Sequence, residues 1–204
     1  MKTKMMIWGI IFCGSFQKGV TQCSAGAEQY CSAMEEQSFS TVQVEWYQHK
    51  KWYAEARYNY EALNSFSLNA GRSYEGKGLV SYYVCPMAGV VWGNLHAGSV
   101  GFYTDISYKK ISFHTQSQYT FSIADRSENF IYSWSELGYQ AFKNLDIGML
   151  IQQINPISPK SSLQKGLFIK FECRNWSFPL YAFDLTTNNR SLVVGISFQK
   201  ELKK

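Results

Sequence analysis

The sequence predicts an all-β protein: a single antiparallel up-and-down transmembrane β-barrel of about ten strands, with eight or twelve strands as alternatives. Apolar and polar residues alternate over long stretches, which is typical of strands with one apolar and one polar face. Beyond the N-terminus, no apolar run is long enough to cross a membrane as a helix. Aromatic residues make up 17% of the 204 residues, and Tyr and Phe favour strands.

The clearest element is a hairpin whose turn is Lys109-Lys110. The stretches on both sides, 100–108 and 111–121, each alternate between an apolar and a polar set. A two-residue turn fixes the register of the two strands, so Asp105 is predicted to face His114 on the polar side.

The N-terminus has the pattern of a targeting segment. Two lysines precede an apolar run at 5–16, which is too short to span a membrane as a helix, and Ala25-Gly26-Ala27 offers an A-x-A cleavage site. Residues 1–27 are therefore predicted to be a cleaved signal peptide, with cleavage near Gln22 as the alternative. An N-terminal anchor and a lipoprotein cut before Cys23 are less favoured, the latter because Gln22 stands where a small residue is expected.

The remaining chain is divided in order. Residues 28–50 are predicted to be a lead-in: 28–40 is polar and flexible or helical, and 41–47 alternates weakly and could add one short strand. Residues 51–199 are predicted to form the barrel and 200–204 a tail. The predicted strands are 52–60, 65–74, 79–92, 100–108, 111–121, 130–139, 145–154, 166–173, 176–184 and 192–198. A bulge is expected near Pro86, because proline interrupts a closed sheet.

Alternation alone fits both a membrane barrel and a soluble lipocalin-like barrel, so the location rests on other features. Seven aromatic residues lie near strand ends on the apolar face, where membrane-interface girdles occur. They are Trp52, Tyr60, Tyr74, Trp92, Tyr108, Phe121 and Trp176. Turns 109–110 and 174–175 are short, whereas 124–129, 155–164 and 185–190 are longer and would all lie outside if both termini are periplasmic. We therefore predict the outer membrane of a Gram-negative bacterium as the location.

The polar face of the predicted strands carries charges of both signs, which predicts a network of paired charges in the lumen. Its expected members are Glu55, Arg57, Asp105, His114, Gln116, Glu136, Lys170 and Glu172. Because a barrel of this size is narrow and large aromatic residues share the polar face, we expect a plugged lumen rather than a diffusion pore.

Four segments together carry a resemblance to a known group of proteins. They are WYAEARYNYE (52–61), PMAGVVWG (86–93), YKKISF (108–113) and NFIYSWSEL (129–137). With these segments the chain, from about Trp52 to Phe198, resembles small uncharacterised outer-membrane β-barrel proteins of Bacteroidota. The resemblance implies a fold and a location, and it implies no catalytic residue.

The sharpest chemical pattern is Asp105 facing His114, with Ser107 and Ser112 one pair nearer the turn. These residue types could support hydrolysis, but ion pairs in a lumen bring the same residues together, and we favour the ion pair. No spacing of His, Cys or Asp predicts a metal site, no cofactor is expected, and no basic face predicts nucleic-acid binding.

Three functions therefore stay open at this point. The favoured one is a small outer-membrane barrel with a structural or surface-interaction role, a plugged polar lumen and no catalysis. The alternatives are an outer-membrane hydrolase or lipid-modifying enzyme that uses His114, and a soluble lipocalin-like carrier of an apolar ligand. Outer-membrane lipid is the one partner expected, and nothing in the sequence specifies a surface partner or an oligomeric state.

Overall fold

A computed structural model describes residues 23–34, 37–156, 162–187 and 190–202. These residues form thirteen strands and one short 3-10 helix at Arg126–Glu128. The strands are β1 (Cys23–Met34), β2 (Gln37–His49), β3 (Trp52–Tyr58), β4 (Ser65–Arg72), β5 (Tyr74–Gly76), β6 (Ser81–Gly93), β7 (Ala97–Tyr108), β8 (Ile111–Ser122), β9 (Phe130–Phe142), β10 (Leu145–Pro156), β11 (Ser162–Cys173), β12 (Trp176–Phe183) and β13 (Ser191–Glu201). The described residues contain no helix that is long and apolar enough to cross a membrane.

Two pairings close the strands into a barrel. β1 pairs with β13, from Ser24 opposite Glu201 to Met34 opposite Ser191, and β4 pairs with β6. All other neighbours are consecutive in sequence and antiparallel, and β5 is a short extra strand that also pairs with β6. The barrel therefore has twelve strands plus one extra strand. The expected count of ten was wrong, and the alternative of twelve is the one found.

The ten predicted strands do not include β1 and β2, which occupy most of the predicted lead-in at 28–50. The possible short strand at 41–47 lies within β2. The outward side chains of β1 include Ala27, Gln29 and Ala33, which make no apolar alternation, so the segment does not resemble a barrel strand in sequence. The predicted signal peptide lies largely at residues 1–22, outside the described residues, and its cleavage stays a prediction. A cut after Ala27 would remove part of β1, whereas a cut near Gln22 would leave β1 whole.

The central hairpin has the predicted register. Asp105 pairs with His114 and Tyr108 pairs with Ile111 across β7 and β8. Lys109 adopts a left-handed backbone conformation with φ of 54°, which suits a two-residue turn between twisted strands.

No bulge occurs at Pro86. The β4–β6 ladder has Gly71 opposite Met87, and the β5–β6 ladder resumes with Tyr74 opposite Val84, so both follow one register with no inserted residue. Proline lacks an N–H, and the sheet responds with a gap between β4 and β5 at Ser73. The expectation of a bulge was wrong, because a local loss of pairing is enough to accommodate the ring.

The two ends of the barrel differ in their connections. Since consecutive strands are antiparallel, connections alternate between the ends. The end that holds Cys23 and Glu201, here called the short-turn end, carries 50–51, 77–80, 109–110, 143–144 and 174–175. The opposite end, here called the loop end, carries the connections 59–64, 94–96, 123–129 and 184–190. Residues 188–189 of the last connection, and residues 157–161 of the predicted loop 155–164, lie outside the described residues.

Side chains alternate between a buried inner set and an exposed outer set. On β8, His114, Gln116, Gln118 and Thr120 are buried, while the large apolar side chains that remain exposed lie on the outer face of the barrel. The outer face includes Phe102 and Phe113, which are 42% and 37% exposed. Polar groups and aromatic rings thus point to the interior, and an apolar surface faces outward, the arrangement of a membrane barrel.

Candidate functional site: the polar lumen

Arg57 is the centre of the largest polar group in the lumen. Period-two alternation on β3 places Glu55 and Arg57 on the inner face, where they form an ion pair. The guanidinium also donates hydrogen bonds to Glu61 at 3.0 Å, to Gln118 at 2.8 Å and to the Tyr103 hydroxyl at 2.8 Å. Because these partners lie on β3, the following loop, β7 and β8, the contacts cross the interior of the barrel.

The connection 59–64 folds into the lumen at the loop end. The Tyr60 ring centroid lies 4.1 Å from Cζ of Arg57, and Tyr60 and Glu61 are both buried. Asn59 and Asn64 have left-handed conformations, with φ of 56° and 54°, and the Asn64 amide donates to Asn59 Oδ1 at 2.7 Å. These contacts hold the two ends of the loop in place. The ring of Tyr60 packs edge-on against that of Tyr132 on β9, with 5.8 Å between the ring centroids.

The placement of Tyr60 corrects its assignment to the outer aromatic girdle. β3 ends at Tyr58, and the left-handed turn at Asn59 breaks the alternation that would have put Tyr60 outward. Two asparagines that flank a short segment were the available signal, since Asn tolerates left-handed backbone better than most residues.

A second group joins β9 to β11. Lys170 Nζ lies 3.7 Å from Glu136 Oε2, and the indole N–H of Trp134 donates to Glu136 Oε1 at 2.9 Å. Trp134 is fully buried, and its ring packs edge-on against those of Tyr181 and Phe183. This ion pair therefore lies beside a compact aromatic cluster that occupies the interior.

The third group is the predicted pair of Asp105 and His114. His114 Nδ1 lies 2.6 Å from Asp105 Oδ1, and the imidazole stacks on the ring of Tyr103 at 6.4 Å. The strand register places Asp105 on one side of His114 and Glu136 on the other. An imidazole between two carboxylates is an arrangement for an ion pair, whereas a hydrolytic triad needs a nucleophilic hydroxyl beside the imidazole.

The other predicted lumen residues divide into two kinds. Gln116 is buried and faces Tyr103 and Trp134 in the neighbouring strands. Glu172 is half-buried near the short-turn end, two residues beyond Lys170 on β11.

Sequence reasoning missed the inner-face groups of β1, where Glu28 accepts a hydrogen bond from Tyr30 at 2.7 Å. Tyr53, one of the large aromatic residues expected on the polar face, donates a hydrogen bond to Glu55 at 2.8 Å. Glu28 was missed with its strand, although Glu28 and Tyr30 stand two residues apart, as inner-face neighbours on a strand must.

The remaining aromatic residues predicted for the girdles lie on the outer face. They are Trp52, Tyr74, Trp92, Tyr108, Phe121 and Trp176, all exposed. Trp92 stacks on Phe66 and Trp176 packs on Phe198, so these rings form small outward clusters near the strand ends.

One loop at the loop end has a defined local structure. Asp125 caps the 3-10 helix by accepting a hydrogen bond from the Ser127 amide at 2.8 Å. This hydrogen bond holds the pKa of Asp125 below its ordinary value, so the carboxylate is charged at neutral pH. Over the described part of the chain, no group of three His, Cys, Asp or Glu side chains is placed to hold a metal ion.

Comparison with known proteins gives matches only in structure. No protein family and no curated protein matches the chain in sequence. The solved KdgM porin is similar with a TM-score of 0.61 at 9% identity, covering 85% of this chain and 98% of the porin. The NanC porin is similar with a TM-score of 0.60 at 10% identity and the same coverage of both chains. These likenesses show the fold and support an outer-membrane β-barrel protein, and they give no support to the Bacteroidota group in particular.

Proposed function

We propose that this protein is a closed outer-membrane barrel that performs no catalysis and acts through its surface loops or as a structural component. The observation that carries the proposal is the burial of Arg57, whose side chain has no exposed surface while it bonds to Glu61, Tyr103 and Gln118 across the lumen. A guanidinium in an open pore would be hydrated, so this contact set supports a lumen plugged by its own side chains.

The aromatic cluster supports the same proposal at a second position. Trp134 and Tyr181 are fully buried and Phe183 almost so, although all three point to the interior of the barrel. A continuous water channel past these rings would leave part of their surface exposed. Two independent groups, one ionic and one aromatic, therefore support a plugged lumen.

The loops supply the surface for the proposed interaction role. At the loop end, Leu63, Ile123 and Leu185 expose 43%, 78% and 57% of their surface. Loops held on a rigid barrel are frequent sites of recognition, and exposed apolar side chains gain free energy when a partner covers them.

A gated solute channel is the second candidate function, because the similar solved structures include named porins and a KdgM porin in complex with disordered oligogalacturonate. In a channel of this kind, the connection 59–64 would have to leave the lumen before any solute could pass. The two functions therefore differ in whether Tyr60 and Glu61 stay in the lumen or leave it.

Conductance in planar lipid bilayers tests the proposal. We expect the wild-type protein to show no steady conductance. The double variant Tyr60→Ala/Glu61→Ala should conduct, because the lumen beside Arg57 is then no longer covered by these two side chains. The matched control Asp125→Ala/Glu128→Ala changes two side chains of another loop at the same end and should stay closed. Steady conductance by the wild-type protein would overturn the closed lumen and favour the porin function.

The soluble carrier and the hydrolase receive less support from the structure. A soluble carrier would need Phe102 and Phe113 inside, and both lie on the outer face. A hydrolase would need a nucleophile at His114, which the strand register instead flanks with carboxylates. Hydrolysis of an ester or peptide substrate that is lost in a folded His114→Ala variant would revive the enzyme.

A further inference from the structure

The short-turn end carries a concentration of exposed basic side chains. Every connection at this end contains a lysine or an arginine, and basic residues also occupy the strand ends beside them. The members of this set, here called the basic ring, are Lys50, Lys51, Arg72, Lys77, Lys109, Lys110, Lys143, Arg174 and Lys200. The acids at the same end are the exposed Glu75 and Glu201 and the half-buried Asp146 and Glu172, so nine basic residues stand against four carboxylates and the net charge there is positive.

Backbone conformation does not account for these basic residues. Lys50, Lys109 and Arg174 each occupy the first position of a two-residue turn, with φ of 52°, 54° and 57°. Such turns favour Gly, which has no β-carbon to strain in left-handed backbone, and Asn and Asp, whose short polar side chains hydrogen-bond to the local backbone. Three turns therefore hold a cation at the position where the fold would prefer another residue, which points to a role for the charge itself.

Several of these cations contact rings on the outer face. Lys109 Nζ lies 5.1 Å from the centroid of Tyr108, Lys110 Nζ lies 5.9 Å from that of Tyr139, and Arg72 Cζ lies 5.9 Å from that of Trp52. All three rings are exposed on the side that faces lipid. These three cations are thus directed to the outer rim of the barrel, beside the exposed aromatic rings.

The loop end shows no such concentration among its described residues. Arg126, Lys165 and Arg190 are balanced there by Asp125, Glu128 and Asp184. The difference between the ends indicates that the basic ring serves the surface that the short-turn end faces.

We propose that the basic ring binds the headgroups of anionic glycerophospholipids, such as phosphatidylglycerol, at the membrane surface on the short-turn side. A rim of cations beside lipid-facing aromatic rings matches a layer of phosphate groups in both charge and depth. Anionic lipids attract each nearby Lys or Arg in an additive manner. The proposal does not depend on whether the lumen conducts, so an open barrel that retains anionic lipid would contradict the proposed function and leave this inference intact.

Lipid retention by the folded full-length protein is the test. The protein is incubated in detergent with equal amounts of phosphatidylglycerol and phosphatidylcholine, and the lipids that stay bound are counted by native mass spectrometry. The test variant is Lys109→Glu/Lys110→Glu/Arg174→Glu, and the matched control Arg126→Glu/Lys165→Glu/Arg190→Glu makes the same charge change at the loop end. Heat-modifiable migration on a gel verifies that each protein is folded.

We expect the wild-type protein and the control to prefer phosphatidylglycerol, and the test variant to lose that preference by about fivefold or more for each charge reversed. The preference of the wild-type protein should also fall as salt is raised to about 1 M, where charges are screened within about 3 Å. The salt titration uses the wild-type protein alone, so it still tests whether charge drives lipid binding if the triple variant does not fold.

The inference would be overturned by equal retention of the two lipids by the wild-type protein, by equal loss in the test variant and the control, or by a preference that salt does not weaken. Binding of polyglutamate in place of phosphatidylglycerol would also overturn it, and would indicate an acidic protein partner for the basic ring.

Discussion

The Arg57 group and the Asp105–His114 pair are both ionic and both line the lumen, yet they differ in reach. Arg57 bonds to β3, the inserted loop, β7 and β8 and is fully buried, whereas Asp105 and His114 join two adjacent strands. The side chain of Asp105 also keeps 20% of its surface exposed. If the lumen is closed as proposed, the contacts that cross it should hold it closed, and an ion pair along the wall should add little.

The largest effect should come from Arg57→Ala. The change leaves the carboxylates of Glu55 and Glu61 buried without their cation, so we expect the free energy of unfolding to fall by about 3–5 kcal/mol. Urea-induced unfolding in lipid vesicles, followed by heat-modifiable migration, measures it. The triple variant Arg57→Met/Glu55→Gln/Glu61→Gln should recover most of the loss, and a triple variant as unstable as Arg57→Ala would contradict the role of the unpaired charges.

A smaller effect is expected for Lys170→Met. Lys170 and Glu136 are 3.7 Å apart and Glu136 keeps the Trp134 hydrogen bond, so the loss should be about 2 kcal/mol in the same unfolding measurement. Adding Glu136→Gln removes the uncompensated charge and should restore part of the stability. An effect as large as that of Arg57→Ala would show that the wall of β9–β11 matters as much as the crossing contacts.

His114→Ala should cost less still, about 1 kcal/mol, because its partner Asp105 remains in contact with solvent. We expect the variant to stay closed in planar bilayers, unlike variants of the inserted loop. New conductance in His114→Ala would show that the Asp105–His114 pair also contributes to closure, as the Arg57 group is proposed to do.

The smallest effect should follow protonation of Asp125 at the loop end. Its pKa is lowered in the folded protein, so the capping contact contributes above the ordinary aspartate pKa and is lost as the pH falls through the folded pKa. The NMR shift of the Ser127 amide should follow this titration, whereas Asp125→Asn should show none. The free energy of unfolding of the barrel should not change with this titration, since Asp125 has no contact with the Arg57 group.

The sequence predicts the register of the hairpin of β7 and β8, because strict alternation and a two-residue turn leave a single register, although β7 begins three residues earlier than predicted, at Ala97. It also predicts which side chains of β3, β8, β9 and β11 point inward. The sequence does not predict which inward side chains contact each other. Arg57 and Gln118 are 61 residues apart, and they meet because the barrel is curved. β1 was missed for a different reason, since its outer residues Ala27 and Gln29 lack the apolar character on which strand prediction in a barrel depends.

The pairing of β1 with β13 has a consequence for assembly. Ser24 and Glu201 are partners in the sheet although almost the whole described chain separates them. Until β13 arrives, every partial sheet has two open edges whose N–H and C=O groups cannot be satisfied in lipid. Insertion and closure must therefore come late and together, and a nascent chain has to be protected from aggregation until its last strand is available.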